Sequence, residues 1–217
     1  PSPNPAPSSG FSSLLSEAQF NQMFPNRNSF YTYKGLAEAA NATLGLAKDG
    51  TVEVRRREIA ALLANGEHES DHFKATREYN QANWPHYCDP NNTQYPCQNG
   101  QQYYGRGPIQ ISWNYNYGLA GAAIGVDLLR NPDLVATNPK IAWQTMMWYW
   151  MTQKGPGTVT PHDAIVKLQS FGETIRSING SLECGGRNAD QVNARVGYYE
   201  NLLKILGVSA GTGNIRC

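Results

Sequence analysis

One stretch decides the expected fold: residues 54–69 read VRRREIAALLANGEHE. Good helix formers dominate it, and the side chains that would line one helical face recur every three or four residues: Ile59, Leu62, Gly66 and Glu69. An acidic side chain therefore continues an apolar stripe. We expect Glu69 to be partly buried in apolar surroundings, which favour the protonated carboxyl group over the charged one.

Further helices are predicted on both sides of this stretch. Ser16 is a suitable N-cap for a short helix that Pro25 ends. Composition and helical spacing predict three more helices, at 36–46, 139–152 and 188–206. Between residues 79 and 107, aromatic residues, Asn, Gln, Gly and Pro predict irregular surface loops. Strand signals are weak throughout, so the sequence predicts a mainly α-helical fold.

The composition bounds the domain organisation and excludes several classes of function. The chain has 217 residues, enough for a sizeable core. Its Pro/Ser-rich residues 1–10 predict an extended linker, and residues 11–217 predict a single domain. A net charge of +1 gives no general attraction for phosphates, so no nucleic acid is expected as a partner. No apolar run approaches the ~20 residues of a membrane helix, so no membrane association is expected either.

Four cysteines allow three disulfide pairings: Cys88, Cys97, Cys184 and Cys217. None of them forms the C-x-x-C pair typical of zinc or thioredoxin chemistry. The short separation favours a bond between Cys88 and Cys97, which leaves Cys184 to pair with Cys217. Four free buried thiols are the alternative. Two disulfides predict an oxidising compartment, and therefore secretion.

Residues 68–72, His-Glu-Ser-Asp-His, match the zinc-peptidase motif H-E-x-x-H. In that motif, two histidines one helical turn apart bind zinc and the glutamate acts as a base. The extended motif adds a Gly and a third His, but Ala75 and Glu78 occupy those positions here. The match is degraded, so the zinc peptidase is the less favoured alternative and no metal is expected.

The competing candidate site pairs Glu69 with Glu78. Glycosidases use one protonated carboxylic acid to protonate the leaving oxygen and one carboxylate to activate water or to attack the sugar. Polar neighbours of Glu78, including Arg77 and Asn80, favour its charged form. The sequence therefore makes Glu69 the candidate acid and Glu78 the candidate base.

The hypothesis that Glu69 and Glu78 act as an acid–base pair requires a particular backbone geometry. On one continuous helix, two residues nine positions apart would face opposite sides and lie roughly 13 Å apart along the axis. Glu69 and Glu78 can share a substrate only if the helix ends between them, near residues 72–75, and the chain folds back across a cleft. Two solvated surface carboxylates are the alternative.

A longer block makes the sequence recognisable: residues 103–118 read YYGRGPIQISWNYNYG. Further matching segments are His68-Glu69, Tyr87-Cys88, GVDLL at 125–129, NPDLVA at 131–136, NGSLEC at 179–184 and RVGYY at 195–199. Together they closely resemble the family 19 chitinases over most of residues 11–217. The resemblance implies a lysozyme-like, two-lobed α-helical fold with a very small β component and a central substrate cleft. It also implies inverting hydrolysis of β-1,4-linked N-acetylglucosamine polymers, with no metal or other cofactor.

The resemblance implies roles for individual residues. Glu69 matches the general acid, Glu78 the general base, and Ser112 the hydroxyl group that helps to hold the attacking water. Five positions match sugar-binding residues: Gln110, Tyr115, Asn116, Asn179 and Lys154. Tyr87 is a further candidate for contact with a sugar ring.

Other matching residues have supporting roles. Arg195 and Glu183 match an ionic network near the base, and His68 belongs to the His-Glu motif of the acid. Arg106 either stabilises the cleft or forms a structural ion pair. The short spacing from Glu69 to Glu78 is similar to that of the compact, loop-deleted members of the family. After the acid, where many members have small residues, this chain has Asp71, His72 and Phe73.

Four functions are compatible with the sequence. A secreted, monomeric endochitinase that acts on chitin and chitooligosaccharides is the favoured one. A peptidoglycan-lysing glycosidase would use the same fold on a different substrate. A chitin-binding chitinase-like protein without activity usually lacks an acidic residue, whereas both are present here. The zinc peptidase would require a metal.

Overall fold

The computed structural model of the protein describes residues 10–217. Of the linker predicted for residues 1–10, residues 1–9 lie outside the described residues. The described residues form nine α-helices: α1 (Glu17–Met23), α2 (Tyr33–Ala42), α3 (Val52–Glu69), α4 (Asn114–Ile124), α5 (Leu134–Thr137), α6 (Pro139–Thr152), α7 (Pro161–Val166), α8 (Phe171–Glu183) and α9 (Ala189–Leu206). Two short 3₁₀ turns, Phe11–Ser13 and Gln81–His86, lie among them. The prediction of a mainly α-helical fold is confirmed.

The predicted helices are present, and their capping residues explain where they begin. Ser16 caps α1 in a reciprocal capping box with Gln19. Thr51 caps α3, which therefore begins slightly before the predicted start. Helix α6 has the predicted bounds and begins at Pro139, a favoured residue for a first helical position. Asn188 is the N-cap of α9, so the helix begins one residue after the predicted start.

One predicted helix is shifted and four helices are additional. Helix α2 begins and ends earlier than the predicted 36–46 because Thr32 caps its start and Gly45, with a φ of 81°, lies beyond its end. Helices α4, α5, α7 and α8 are not predicted. Helix α4 lacks a side-chain cap, α5 and α7 are only four and six residues long, and α8 is interrupted by a non-helical φ at Asn179.

The helices pack in two groups. Helix α3 packs against α7, α8 and α9, whereas α6 packs against α2, α4 and α5 and also contacts α7. Residues 59–64 of α3 are fully buried, so this helix has an apolar circumference rather than a single apolar stripe. An aromatic cluster lies under α6, where the rings of Trp143 and Phe73 are 5.2 Å apart. The last residue of the buried α3 is Glu69.

Both predicted disulfides are confirmed, between Cys88 and Cys97 and between Cys184 and Cys217. The first closes the irregular loop region, and the second attaches the C-terminal segment to the end of α8. Each is expected to contribute about 3 kcal/mol by restricting the unfolded chain. None of the described helices has both the length and the apolar character that crossing a bilayer requires.

A buried polar cluster links α3 to α6 and α7. Glu58 is fully buried, and its carboxylate accepts hydrogen bonds from the indole of Trp150 and the backbone N–H of Ala47, each at 3.0 Å. His162 Nδ1 lies 2.6 Å from the same carboxylate, and its Nε2 lies 3.2 Å from Asp49. The hydrogen bond to Glu58 raises the pKa of His162 against the opposing effect of burial, and nearby acidic charges add to the rise.

We predict that the His162→Gln variant loses more stability at acidic than at alkaline pH. Because the pKa of His162 is raised in the folded state, its stabilising charge is fully present below the unfolded value of about 6.5 and is lost as the pH rises through the folded value. The expected loss is about 3 kcal/mol, or roughly 10 °C in Tm, near pH 5.5, and less near pH 9. Thermal unfolding of the wild type and the variant, followed by circular dichroism, measures the loss of stability at each of the two pH values. Equal losses at the two pH values would contradict the assignment of a charged His162.

Candidate active site

Glu69 ends α3, and the chain reverses direction directly after it. Three consecutive residues adopt the left-handed conformation, with φ values of 49° at Asp71, 56° at His72 and 57° at Phe73. Ser70 supports the reversal, because its hydroxyl donates to a carbonyl of α3 at 2.6 Å and accepts from the N–H of Phe73 at 3.2 Å. The helix therefore ends between the two candidate carboxylates, as the pair hypothesis requires.

Glu78 lies on the returning segment. Its N–H donates to the carbonyl of Gly105 at 2.8 Å, and the adjoining Arg77 forms an antiparallel bridge with Arg106. These contacts hold the segment against the block at residues 103–118. Glu69 and Glu78 consequently line the same cavity, of about 440 Å³. Its other lining residues include His68, Asp71, Tyr79, Gln110, Gln191 and Tyr198.

The surroundings of Glu69 are ionic, which corrects the prediction of an apolar environment. Arg195 on α9 is fully buried and donates to the carboxylate of Glu69. The same guanidinium donates to both oxygens of Glu183 at 2.8 Å and to Asn65 Oδ1 at 3.1 Å. Helical spacing correctly predicts a partly buried position for Glu69, but it carries no information about a cation on the facing helix.

In this network a single guanidinium, that of Arg195, contacts the carboxyl groups of both Glu69 and Glu183. Burial alone would raise the pKa of Glu183, but the hydrogen bonds and charge of Arg195 outweigh it and lower that pKa. Burial, followed by the charge of Arg195, lowers the pKa of His68. His68 is therefore neutral at neutral pH and adds no second positive charge. The resemblance implied a network near the base, whereas here it contacts Glu69.

The carboxylate of Glu78 has polar partners, in agreement with the sequence prediction. Its Oε1 accepts hydrogen bonds from Asn83 Nδ2 and from the hydroxyl of Tyr87, each at 3.0 Å. Burial, then the hydrogen bond and charge of Glu78, raise the pKa of Tyr87, so the phenol remains a donor. Trp84 fixes the backbone by donating from its indole to the carbonyl of Glu78 at 3.1 Å. The side-chain donors to this carboxylate, Asn83 and Tyr87, are both uncharged.

A stack of side chains supports the segment that carries Glu78. Trp84 lies parallel to Tyr104, with ring centroids 3.9 Å apart, and the guanidinium of Arg106 lies 3.6 Å from the Tyr104 centroid. Arg106 also pairs with Asp133 at 3.3 Å, and Arg77 pairs with the same carboxylate at 2.7 Å. Arg106 is buried in this arrangement, which favours the structural ion pair over direct contact with a substrate.

The remaining predicted residues occupy different places. Gln110 lines the cavity, and the hydroxyl of Ser112 donates to the carbonyl of Gln110 at 2.9 Å rather than to Glu78. Asn116 donates to the carbonyl of Ser112 at 2.9 Å, and the ring of Tyr115 stacks with that of Trp113. Asn179 donates to Glu183 at 2.7 Å, which links it to the ionic network. Lys154 is exposed in the loop after α6.

The structure removes the helical geometry on which the zinc-peptidase alternative depends. His68 lies in the last turn of α3, but His72 lies beyond its end in the reversal. His72 Nδ1 is instead 2.9 Å from Glu67, and its ring packs edge-on against that of Tyr198. The two histidines are thus not one helical turn apart, as the motif requires.

Several lining or supporting residues were not predicted to belong to the site: Asp71, Tyr79, Asn83, Gln191 and Tyr198. Asp71 and Tyr79 each lie close in sequence to one of the two carboxylates, so proximity alone could have indicated them. Gln191 and Tyr198 lie on α9 and enter the cavity only because α9 packs on α3. No local sequence pattern indicates that contact.

Comparison with known proteins agrees with this architecture. The family model described as chitinase class I, of glycoside hydrolase family 19, matches residues 9–217. The chain belongs to glycoside hydrolase family 19. As a family 19 chitinase it shares 47% identity over 211 residues with Chitinase 5 of Oryza sativa subsp. japonica, covering 94% of this chain and 69% of the relative. It shares 43% identity over 243 residues with an endochitinase of Persea americana, covering 98% and 74% of the two chains.

Solved structures are also similar to this family 19 chitinase. Chitinase C from Streptomyces griseus HUT6037 superimposes with a TM-score of 0.92 at 54% identity, covering 98% of this chain and all of the other. A class IV chitinase from Zea mays has a TM-score of 0.82 at 43% identity, covering 94% and 98% of the two chains. These findings confirm the family, the lysozyme-like helical fold and the enzyme class predicted from the sequence.

We predict that removing the buried cation destabilises this chitinase. The Arg195→Met variant leaves Glu183 buried without its charged partner, which is expected to cost about 3–5 kcal/mol and to lower Tm by roughly 10 °C. Thermal unfolding near neutral pH measures the loss.

The double variant Arg195→Met/Glu183→Gln is the matched control. It removes the unpaired charge as well, so it is expected to recover part of the lost stability. A double variant no more stable than the single variant would show that the uncompensated carboxylate is not the cause.

Proposed function

We propose that this family 19 chitinase cleaves chitin internally by single displacement with inversion at the anomeric carbon. Glu69 is the general acid and Glu78 the general base. The observation that carries the proposal is that both side chains line one cavity although their positions in sequence are separated by a helix end and a chain reversal. Their different partners support different roles for the two groups.

The contacts of Glu69 differ from those of Glu78. Arg195 is the cation shared by Glu69 and Glu183, and the lowered pKa of Glu183 keeps the latter ionised beside it. Neutral His68 contributes no compensating charge. Of the two carboxyl groups that contact Arg195, Glu69 is the one that lines the cavity, so it is the one placed to transfer a proton to a substrate.

In the reaction, Glu69 transfers this proton to the glycosidic oxygen as the bond from that oxygen to the anomeric carbon breaks. Glu78 accepts a proton from a water molecule whose oxygen forms the new bond to the same carbon from the opposite face. Ser112 supports the water, because its hydroxyl donates to Gln110 and keeps lone pairs free to accept. Exchange with solvent then restores a protonated Glu69 and an ionised Glu78.

The other predicted residues extend the site along the substrate. Gln110 offers an amide within the cavity, and we propose Tyr115, Asn116, Asn179 and Lys154 as contacts to sugars bound farther from the reacting bond. Amides and phenols suit the hydroxyl and acetamido groups of such a substrate. Tyr87 acts first on Glu78 through its hydrogen bond, so its contribution to sugar binding is secondary.

Two disulfides support secretion, since such bonds persist in oxidising compartments. Residues 11–217 act as the catalytic domain in this proposal, preceded by the linker at 1–10. A peptidoglycan-lysing activity on the same scaffold is the second candidate, and it is distinguished by comparing turnover of chitin oligomers with turnover of bacterial cell walls.

We predict that Glu69→Gln abolishes hydrolysis of N-acetylglucosamine hexamer while binding is retained. The amide keeps the shape of the side chain but cannot supply the proton, so kcat is expected to fall by at least about 10²–10⁴-fold. Product formation and calorimetric binding of the hexamer measure the two effects. Wild-type turnover in this variant would refute the role of Glu69.

A further inference from the structure

Tyr79 is an exposed aromatic residue at the edge of the catalytic cavity. It follows Glu78 directly in sequence, lines the same cavity, and has a relative exposure of 67%. Among residues 10–217, other large apolar side chains are similarly exposed, such as Leu44 and Leu182, but they do not line this cavity. An aromatic ring left in water beside a reaction centre has surface available for a ligand.

The orientation of this ring is fixed from the opposite side of the chain reversal. The hydroxyl of Tyr79 donates to Asp71 Oδ2 at 3.0 Å. Asp71 itself lies two residues after Glu69, in the left-handed turn with a φ of 49°. The hydrogen bond thus connects the segment that follows the acid to the segment that follows the base. A side chain held in this way loses less rotamer entropy when a ligand binds.

We propose that Tyr79 is a stacking platform for one N-acetylglucosamine unit of the substrate, and that Asp71 is the positioning residue that holds the platform in place. This inference rests on the proposed function. The sugar rings of a β-1,4-linked N-acetylglucosamine chain carry equatorial substituents, so each ring face presents axial C–H groups. Such a face is complementary to the electron-rich face of a tyrosine ring.

The cavity supplies polar groups for the same sugar unit. Gln191 and Tyr198 reach it from α9, whereas Tyr79 reaches it from the returning segment. An aromatic face combined with a few polar groups is typical of sites that fix the orientation of a ligand. The bound sugar would therefore lie beside the reacting bond, in contact with segments on both sides of the reversal.

The platform is expected to act on binding and not on the chemical step. Stacking on a sugar that does not react contributes equally to the ground state and to the transition state, which changes KM and leaves kcat almost unchanged. Because the platform lies beside the reacting bond, its contribution to binding applies to short and long oligosaccharides alike.

Kinetics with N-acetylglucosamine hexamer test the proposal in the otherwise unaltered enzyme. For Tyr79→Ala, we expect KM to rise about tenfold and kcat to change by less than about twofold. For Tyr79→Phe, which keeps the ring and loses the hydrogen bond to Asp71, we expect KM to rise about two- to threefold. We expect the same rise in KM for Asp71→Ala. Leu44→Ala, at an exposed position away from the cavity, is the matched control and should leave both constants unchanged.

Direct binding separates this proposal from the assignment of the acid and base. Calorimetry with the hexamer on Glu69→Gln and on Glu69→Gln/Tyr79→Ala should show affinity weakened about tenfold by the second change. An unchanged affinity and KM in the Tyr79→Ala variant, with wild-type Tm, would overturn the platform. A lowered kcat at constant KM would overturn it too, because Tyr79 would then act on Glu78. If Glu69→Gln remained active, the proposed function would fail while the KM comparison would still decide the role of Tyr79.

Discussion

The site depends on one backbone constraint, which is that α3 ends at Glu69 and the chain reverses within the next few residues. Continuation of the helix would carry Glu78 to the opposite side and out of the cavity. Three successive left-handed residues, Asp71, His72 and Phe73, make the reversal, although none of them is a glycine. Left-handed backbone costs each such residue about 1 kcal/mol or more. Burial of Phe73 in the aromatic cluster under α6 compensates for part of this cost.

The same reversal separates the electrostatic environments of the two carboxyl groups. Glu69 remains attached to α3 and meets the buried guanidinium of α9, which is shared with Glu183. Glu78 lies beyond the end of α3, and its carboxylate accepts hydrogen bonds from two neutral donors, Asn83 and Tyr87. The two carboxyl groups thus differ in what surrounds them: Glu69 contacts a buried guanidinium shared with Glu183, whereas Glu78 accepts from uncharged hydrogen-bond donors. Similar reasoning explains many paired carboxylates in enzymes.

Sequence reasoning succeeded where the information is local and failed where it depends on packing. Composition and helical spacing predicted α3, α6 and α9, and cysteine spacing predicted both disulfides. Helical spacing also placed Glu69 at a partly buried position. It could not reveal that Arg195, far away in sequence, would face that position, so the predicted apolar environment was wrong. For the same reason Gln191 and Tyr198 went unrecognised as lining residues, since the contact between α3 and α9 defines their place.

In the proposed mechanism, Glu78 activates a water molecule while Glu69 protonates the leaving oxygen. The anomeric form of the first products of N-acetylglucosamine hexamer, followed by NMR before mutarotation equilibrates them, tests this most directly. Direct attack of water on a β-linked substrate predicts that newly formed reducing ends appear first as the α-anomer. Initial formation of the β-anomer would indicate a double displacement and would contradict the assignment of Glu78 as a base.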